Sequence, residues 1–459
     1  MNKFRQILIS NVWIAIILFI GFLGWGVSLE FLSIPLIAVY SLLLMIFCED
    51  IKNIFVVFFA VPFFIGSVKN TSDIILLGIS FGIFLVGVVF YLIKQLIKSK
   101  NCKKGKLFWG FVCLLITYLV GGIIGYFNIL NWLIIIAMTL LTYFCYWVAI
   151  NFCHNLKKHI IYTFISIGIL LSIQLFISYL AVEEPFSLAI LSKNVITIGL
   201  QNINVVAIYF MLAMISTFYL GYKHKYDYLY TFACSFFAIA TYFTYSRMGT
   251  LICLILFIVA TIATLIKSTN KKIYISIIVI GVVGLIVVFT VFYERIYKYL
   301  EWHIDLGFSG NGRGTLWPWC LDKFLESPIF GVGFTSEDPV PSLITTDSII
   351  LAHNSVLQYL TSTGIVGSAI VLYFYYQKYK IALVNFNSFK FFNLLNILAI
   401  AISGITDQSP TMDLFILTIS AILVALAEID SESNPSKKVV GFGDKTILEL
   451  DSINNNKNL

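Results

Sequence analysis

The sequence predicts an all-α polytopic membrane protein of about fourteen transmembrane helices with one large extracytoplasmic loop. Three observations carry that expectation. The 459 residues are 59% hydrophobic and 12% charged, with a mean hydropathy of +0.94, where a soluble chain carries about a quarter charged residues. Apolar runs of about 18 to 22 residues recur along the chain, each long enough for roughly 30 Å of hydrocarbon. Lysine gathers in every second connection between those runs.

The first run, 7–27, follows Lys3 and Arg5. Its charged start is that of a secretory signal, but it runs too long and lacks a small-residue cleavage site, so it reads as the first anchor. Next come 31–48 and 54–68. The latter is short and contains Pro62, yet without it the lysines of 94–106 would fall on the wrong side of the membrane. Runs 74–93 and 107–126 flank that connection, which holds Lys94, Lys98, Lys100, Lys103, Lys104 and Lys106. Runs 129–150 and 160–180 are joined by 151–159, runs 203–221 and 228–245 by 222–227, and runs 248–266 and 273–292 by 267–272. After a long polar stretch come 353–376, 389–407 and 410–428. With the N-terminus inside, 23 basic residues fall on the inner side and seven on the outer, the asymmetry of the positive-inside rule. The chain divides into 1–292 with eleven spans, an extracytoplasmic loop 293–352, three spans in 353–428 and a polar cytoplasmic tail 429–459.

The pI of 8.8 and net charge of +7 reflect loop lysine and no basic stripe interleaved with aromatics, so no nucleic-acid partner is expected. The eight cysteines show no C-x-x-C pair and lie mostly in spans, where Cys acts as a small apolar residue. Neither metal, cofactor nor disulfide framework is expected. His154, His159 and His224 fall in inner loops and are expected to be solvated.

Function is sought in the two long outer segments, 181–202 and 293–352. The second opens with Tyr293 to Trp302, an aromatic and charged mixture suited to a helix in the headgroup layer. Gly310-Asn311-Gly312-Arg313-Gly314 is too glycine-rich for a helix, and Thr315 to Glu326 suits a short amphipathic one capped by Thr315. Ser327-Pro328 ends it, Gly331-Val332-Gly333-Phe334 turns, and the chain re-enters the membrane at His353-Asn354. Only four basic residues are arginine, namely Arg5, Arg247, Arg295 and Arg313, and three of them face outward. A chain that otherwise uses lysine keeps arginine where a planar bidentate fork is needed, as for phosphate.

Four elements in this order resemble the O-antigen ligase and O-antigen polymerase superfamily over about 200–370: Asn204-Val205-Val206-Ala207, then Ser246-Arg247-Met248-Gly249, then Gly312-Arg313-Gly314-Thr315-Leu316-Trp317 with Ser327 to Phe334, then His353-Asn354-Ser355-Val356-Leu357 with Gly364-Ile365-Val366-Gly367. The resemblance implies a GT-C-like fold in the bacterial plasma membrane and a metal-independent glycosyltransferase working on the outer leaflet. The donor it implies is a polyprenyl-diphosphate-linked oligosaccharide. The acceptor is a second lipid-linked glycan for a polymerase and another molecule for a ligase, and a flippase and a chain-length regulator are further expected partners. The family's two functional arginines and its histidine carry over to Arg247, Arg313 and His353; Arg295 has no family motif behind it.

Residue chemistry is compatible with this. Breaking a sugar–diphosphate bond requires stabilised negative charge, which guanidinium groups supply, and an imidazole at His353 can accept or orient a hydroxyl proton. Other roles stay open: Arg247 as an interfacial anchor, Arg313 as a partner of Asp322, His353 as a capping residue. Gln201, Asn204 and Asn354 suit hydrogen bonds to sugar hydroxyls or diphosphate, and equally to backbone at span ends. Trp302, Trp317, Trp319, Phe334 and Tyr359 can stack on sugars or join the interfacial belt. A lipid-linked oligosaccharide flippase is the rival class. It would want charged or broken-helix sites near the midplane, and the spans are almost free of charge.

Overall fold

Length and apolarity dictate the architecture, and a computed structural model of the chain is helical throughout its secondary structure among the residues it describes: 2–65, 71–98, 102–124, 129–181, 198–199, 202–222, 224–291, 293, 297, 313–334, 350, 352–406 and 413–433. The helices are α1 Asn2–Leu8, α2 Val12–Val27, α3 Glu30–Phe47, α4 Ile54–Ala60, α5 Thr71–Lys98, α6 Phe108–Ile124, α7 Ile129–Phe152 and α8 Leu156–Leu180. They continue as α9 Ile203–Gly221, α10 Asp227–Tyr242, α11 Arg247–Lys267, α12 Lys271–Val291, α13 Arg313–Glu326, α14 Ser355–Leu383, α15 Ser388–Thr406 and α16 Leu414–Ser433. Among the described residues nine helices are long and apolar enough to cross a membrane, with 12–27, 54–63 and 108–121 as shorter apolar helices. This is an all-α polytopic membrane protein.

Most helix boundaries fall within a few residues of the hydropathy runs, with informative departures. The third run is only a short helix continued by one 3-10 turn over Val61–Phe63, and residues 54–60 are all buried. A helix that short spans about 15 Å, half the hydrocarbon depth, and it survives because neighbours enclose it on every side. Above it the backbone of Gly199, at φ +56, lies against the Pro62 carbonyl, so part of the first long outer segment packs down onto the short helix. α8 starts at Leu156, which puts His159 inside a helix and 2% exposed, against the expectation of a solvated loop residue. Its Nδ1 lies 3.2 Å from Asn11 Oδ1.

The lysine-bearing connections gather at one end of the bundle. Lys94 Nζ donates to the Met45, Ile46 and Cys48 carbonyls that close α3, the favourable placing of a cation at a helix C-terminus. Lys157 pairs with Asp430 at 3.0 Å and Lys103 with Glu432 at 2.7 Å. The buried Glu428 carboxylate accepts from the Lys106 N–H and the Tyr146 hydroxyl, tying the 102–107 connection to α16. At the core sits α9, buried on nearly every face and packed by α8, α10, α11 and α15. Tyr219 and Tyr222, where α9 ends, pack on Phe389 and Phe392, where α15 begins, so those two helices are antiparallel.

Candidate active site at the end opposite the lysines

The amphipathic helix of the outer loop begins two residues earlier than its sequence suggested. Arg313 and Gly314 are helical, and Thr315 is an exposed residue inside α13 instead of its cap. The rest of the glycine-rich stretch, 310–312, lies outside the described residues, as do Gln201, Arg295, Trp302 and His303. α13 buries Leu316 and Cys320 against Ile350 and Ala352, with Trp317, Val332 and Leu357 around them. Two directional bonds fix its register on α14. The Trp317 indole N–H donates to the Ala352 carbonyl at 3.0 Å, and the Thr361 hydroxyl donates to the Cys320 carbonyl at 3.0 Å. Burial pushes the Cys320 thiol up to about 11, a side-chain hydrogen bond between the thiol and Thr361 opposing it.

The segment after α13 does more than turn the chain. α14 is interrupted at Gly364, whose φ of +61 and ψ of −163 are open to glycine and closed to side-chain-bearing residues. A broken helix leaves backbone groups without partners, and inside a membrane those must be met by protein. The 328–333 backbone meets them: Val332 and Gly333 donate to the Thr361 and Ser362 carbonyls at 2.8 and 3.0 Å, while Ile365 and Val366 donate to the Pro328 and Ile329 carbonyls at 2.9 and 3.1 Å. The approach is backbone to backbone. A Cβ on Gly331 would overlap the Thr361–Thr363 main chain, and one on Gly364 would overlap Ile329. Phe334 then plugs in beside Tyr118 of α6, whose hydroxyl lies 3.2 Å from that of Tyr359. Phe334 and Tyr359 are buried structural contacts, neither sugar platforms nor members of an interfacial belt.

His353 stands just ahead of α14 in the left-handed region, φ +48, half-buried. The expected position was the first helical turn; it is instead the residue before the N-cap. The cap is Asn354, whose Oδ1 accepts from Val356 N at 2.9 Å and Leu357 N at 3.1 Å. That amide oxygen is committed to the helix terminus, the structural one of its two expected uses. Ahead of the histidine, the Ala352 N–H donates to Gln358 Oε1 at 2.9 Å, and Gln358 Nε2 donates to the Ile350 carbonyl at 2.9 Å and to Ser362 Oγ at 3.0 Å.

These bonds tie α13, the helix that carries Arg313, to the peptide that enters His353. Trp317 holds the peptide next to His353, and Arg313 lies one turn before Trp317 on the same helix face, where side chains four apart are about 5–6 Å from each other. Asp322 cannot be the partner of Arg313: nine residues along a helix are about 13 Å of rise and half a turn of rotation. Arg247 opens α11 behind the N-cap Ser246, whose hydroxyl accepts from Gly249 N at 3.3 Å. Gly249 permits close contact with Ala207 of α9, so Arg247 and Asn204 share an end of the bundle. Asn204 is in the first turn of α9, its N–H donating to the capping Asn202 at 3.0 Å. The Ser355 hydroxyl donates to the Gly404 carbonyl at 2.6 Å, tying the start of α14 to the end of α15, on which α11 also packs. Arg247, Arg313 and His353 are therefore at the end away from the lysines.

Among the described residues no three His, Cys, Asp or Glu side chains come together as a metal site would require. Of the loop carboxylates, Glu326 is exposed and held by Lys323 at 3.0 Å. Glu294, Glu301, Asp305, Glu337, Asp338 and Asp347 lie outside the described residues. The sequence did not single out Gln358 or the structural use of Trp317. A polar residue in the first turn of a span, and an indole four residues after an arginine, were the available signals.

Fold and site together define a multi-pass helical membrane protein with arginine and histidine organised at one end by a loop built into a membrane helix. Residues 232–372, from α10 into α14, match the family described as O-Antigen ligase. That segment, less than a third of the chain, supports the likeness to the O-antigen ligase and polymerase superfamily, and it contains Arg247, Arg313 and His353 but neither Gln201 nor Asn204. The match supports an enzyme of that broad type working on a lipid-linked glycan. No curated protein matches the chain.

Proposed function

We propose that this protein is a glycosyltransferase that polymerises polyprenyl-diphosphate-linked oligosaccharide repeat units into a surface polysaccharide at the outer leaflet of the bacterial plasma membrane. The observation that carries the reading is the bond from Trp317 of α13 to the Ala352 carbonyl, which ties the helix bearing Arg313 to the peptide that enters His353, within the family segment. The many apolar helices, and the gathering of the lysine-bearing connections at the other end of the bundle, support a placing of this site at the outer face. A hydroxyl of the acceptor sugar attacks the anomeric carbon of the donor. The new C–O bond forms as the bond to diphosphate breaks, and polyprenyl diphosphate leaves with the bonding electron pair. Arg313 and Arg247 meet the charge growing on that leaving group, which needs no metal, and His353 takes the hydroxyl proton. Asn204 and Gln201 are proposed to hydrogen-bond the sugar or diphosphate from the start of α9, and Asn354 to hold the His353 segment.

A second reading, transfer of the finished glycan to another acceptor, is favoured by the description of the matched family as a ligase. Deleting the gene and sizing surface and lipid-linked glycans decides among the alternatives. Loss of long chains with single repeats retained is the polymerase result. Long chains stranded on the lipid carrier make the protein a ligase, and lipid-linked repeats accumulating in the cytoplasm would overturn both in favour of a flippase.

A further inference from the structure

Ala352 has no functional side chain, yet both of its backbone polar groups are held by side chains from different elements. Its N–H donates to Gln358 Oε1 at 2.9 Å, and its carbonyl accepts from Trp317 Nε1 at 3.0 Å. The carbonyl belongs to the peptide that enters His353. On the far side of His353 the chain is equally fixed, because Asn354 caps α14 with its side chain and its own carbonyl accepts from Gln358 N at 2.9 Å. His353 is thus bracketed by a pinned peptide and a capped helix. Its φ of +48 is a conformation that residues with side chains adopt reluctantly, and it persists only where surroundings over-determine it. Here the surroundings are two side chains whose other ends are anchored too: Gln358 is 2% exposed and also bonds Ile350 and Ser362, and Trp317 sits in the helix that carries Arg313.

We infer that Trp317 and Gln358 are positioning residues that set His353 for proton transfer, by fixing the peptide ahead of it and its distance from Arg313. Neither need touch substrate. If Trp317 lost its indole donor, the 352–353 peptide would be free to rotate and His353 could relax to ordinary φ, turning the imidazole away from the bond being formed. If Gln358 lost its amide, Ile350 and Ala352 would lose their ties to the start of α14. An error of about 1 Å in such an arrangement costs on the order of 10²-fold in rate. This inference rests on the proposed proton role of His353, and its test is arranged so that the two fail separately.

The variants are Trp317→Phe, which keeps the ring and removes the donor; Gln358→Met, which keeps length and removes all three side-chain bonds; Gln358→Glu, which keeps the acceptor for Ala352; and His353→Ala. Chain growth is measured in membranes of the deletion strain carrying each variant, which supply the host's own lipid-linked glycan. Binding of undecaprenyl diphosphate is measured on the purified full-length chain. The expected result is a loss of about 10- to 100-fold in growth rate for Trp317→Phe and Gln358→Met, with undecaprenyl diphosphate binding within twofold of the parent. Gln358→Glu recovers most of the rate. In the His353→Ala background, Trp317→Phe costs nothing further, because both act through one group. Normal rates in Trp317→Phe and Gln358→Met, beside a crippled His353→Ala, overturn the positioning inference and leave the proposed function standing. Losses that add in full to that of His353→Ala, or that fall in step with undecaprenyl diphosphate binding, also overturn it, since the residues would then act on general structure or on Arg313. A His353→Ala protein that elongates normally removes the proton role itself, and this inference with it.

Discussion

Gly364→Ala is the sharpest available perturbation of the stitched helix, because the substitution adds one methyl group where there is no room and no permitted backbone. A side-chain-bearing residue at φ +61, ψ −163 costs about 1–3 kcal/mol. Its Cβ would overlap the Ile329 carbonyl group and the Gly331 nitrogen, so the 328–333 segment must move off. Moving it breaks up to four backbone hydrogen bonds, from Val332, Gly333, Ile365 and Val366, each worth about 0.5–1.5 kcal/mol net. The sum is about 3–9 kcal/mol, comparable with the whole stability of an ordinary domain. Detachment of the loop is the expected response, with the spans still inserted. Cys320 reports it: the thiol is fully buried and raised to about 11, so at neutral pH almost none is thiolate and maleimide reacts slowly. In a chain with the other seven cysteines replaced, Gly364→Ala should raise Cys320 labelling at pH 7 at least tenfold and abolish chain growth. Unchanged labelling together with unchanged growth would refute the stitching argument.

Four further outcomes are expected. Asn354→Ala should cost about 1 kcal/mol of stability and a modest share of activity, whereas Asn354→Ser, which still caps, should be close to the parent; a Ser variant with wild-type stability and a many-fold rise in donor KM would instead make Asn354 a substrate ligand. Glu428→Leu should lower thermal stability in detergent by about 2–4 kcal/mol, because the Lys106 N–H and Tyr146 hydroxyl lose their acceptor in a buried place, while activity per folded molecule stays unchanged. Cysteine placed at Ser309 should label from outside and cysteine at Ser99 should be protected; the reverse pattern inverts the topology and the mechanism with it. Arg313→Lys should be severely impaired despite keeping its charge, and Arg295→Lys mild, since a diphosphate is gripped by fork geometry; equal, normal activity of both at parental protein levels would end the arginine argument.

Much of the scaffold was legible because hydrocarbon thickness writes itself into run length. The backbone role of Asn354 at a span end was one of the two uses its sequence offered, whereas the cap at Ser246 was not read from the sequence. The features that escaped the sequence are of a different physical kind. Gly331 and Gly364 meet backbone to backbone across two elements, and main-chain hydrogen bonds leave no side-chain pattern, so each glycine read only as a local turn or a span residue. The left-handed His353 is likewise set by partners distant in sequence, Trp317 above all. His159 was misplaced by a boundary error of four residues, enough to turn a loop histidine into a core one. The half-length of α4 was hinted at by Pro62, but its survival depends on neighbours enclosing it. At the site, the order of Arg247, Arg313 and His353 along the chain was readable; that α13 is the part carrying one to another was not.

The stitching also limits how such an enzyme can move. A lid is drawn from segments that open at little cost, and freeing 328–333 would strand four backbone groups of α14 in a setting where water cannot replace the lost partners. Through Thr361 of the same helix and Ala352 just ahead of it, α13 is held in place, so the piece bearing Arg313 is a fixed wall of the membrane domain. A rigid wall suits a reaction whose donor and acceptor are both tethered to lipid: the bilayer already confines them to a surface. On the proposed mechanism the protein then has to fix one distance, from the arginine proposed to meet the diphosphate to the imidazole proposed to take the proton. The bonds made by Trp317 and Gln358 and the paired glycines all bear on that one distance.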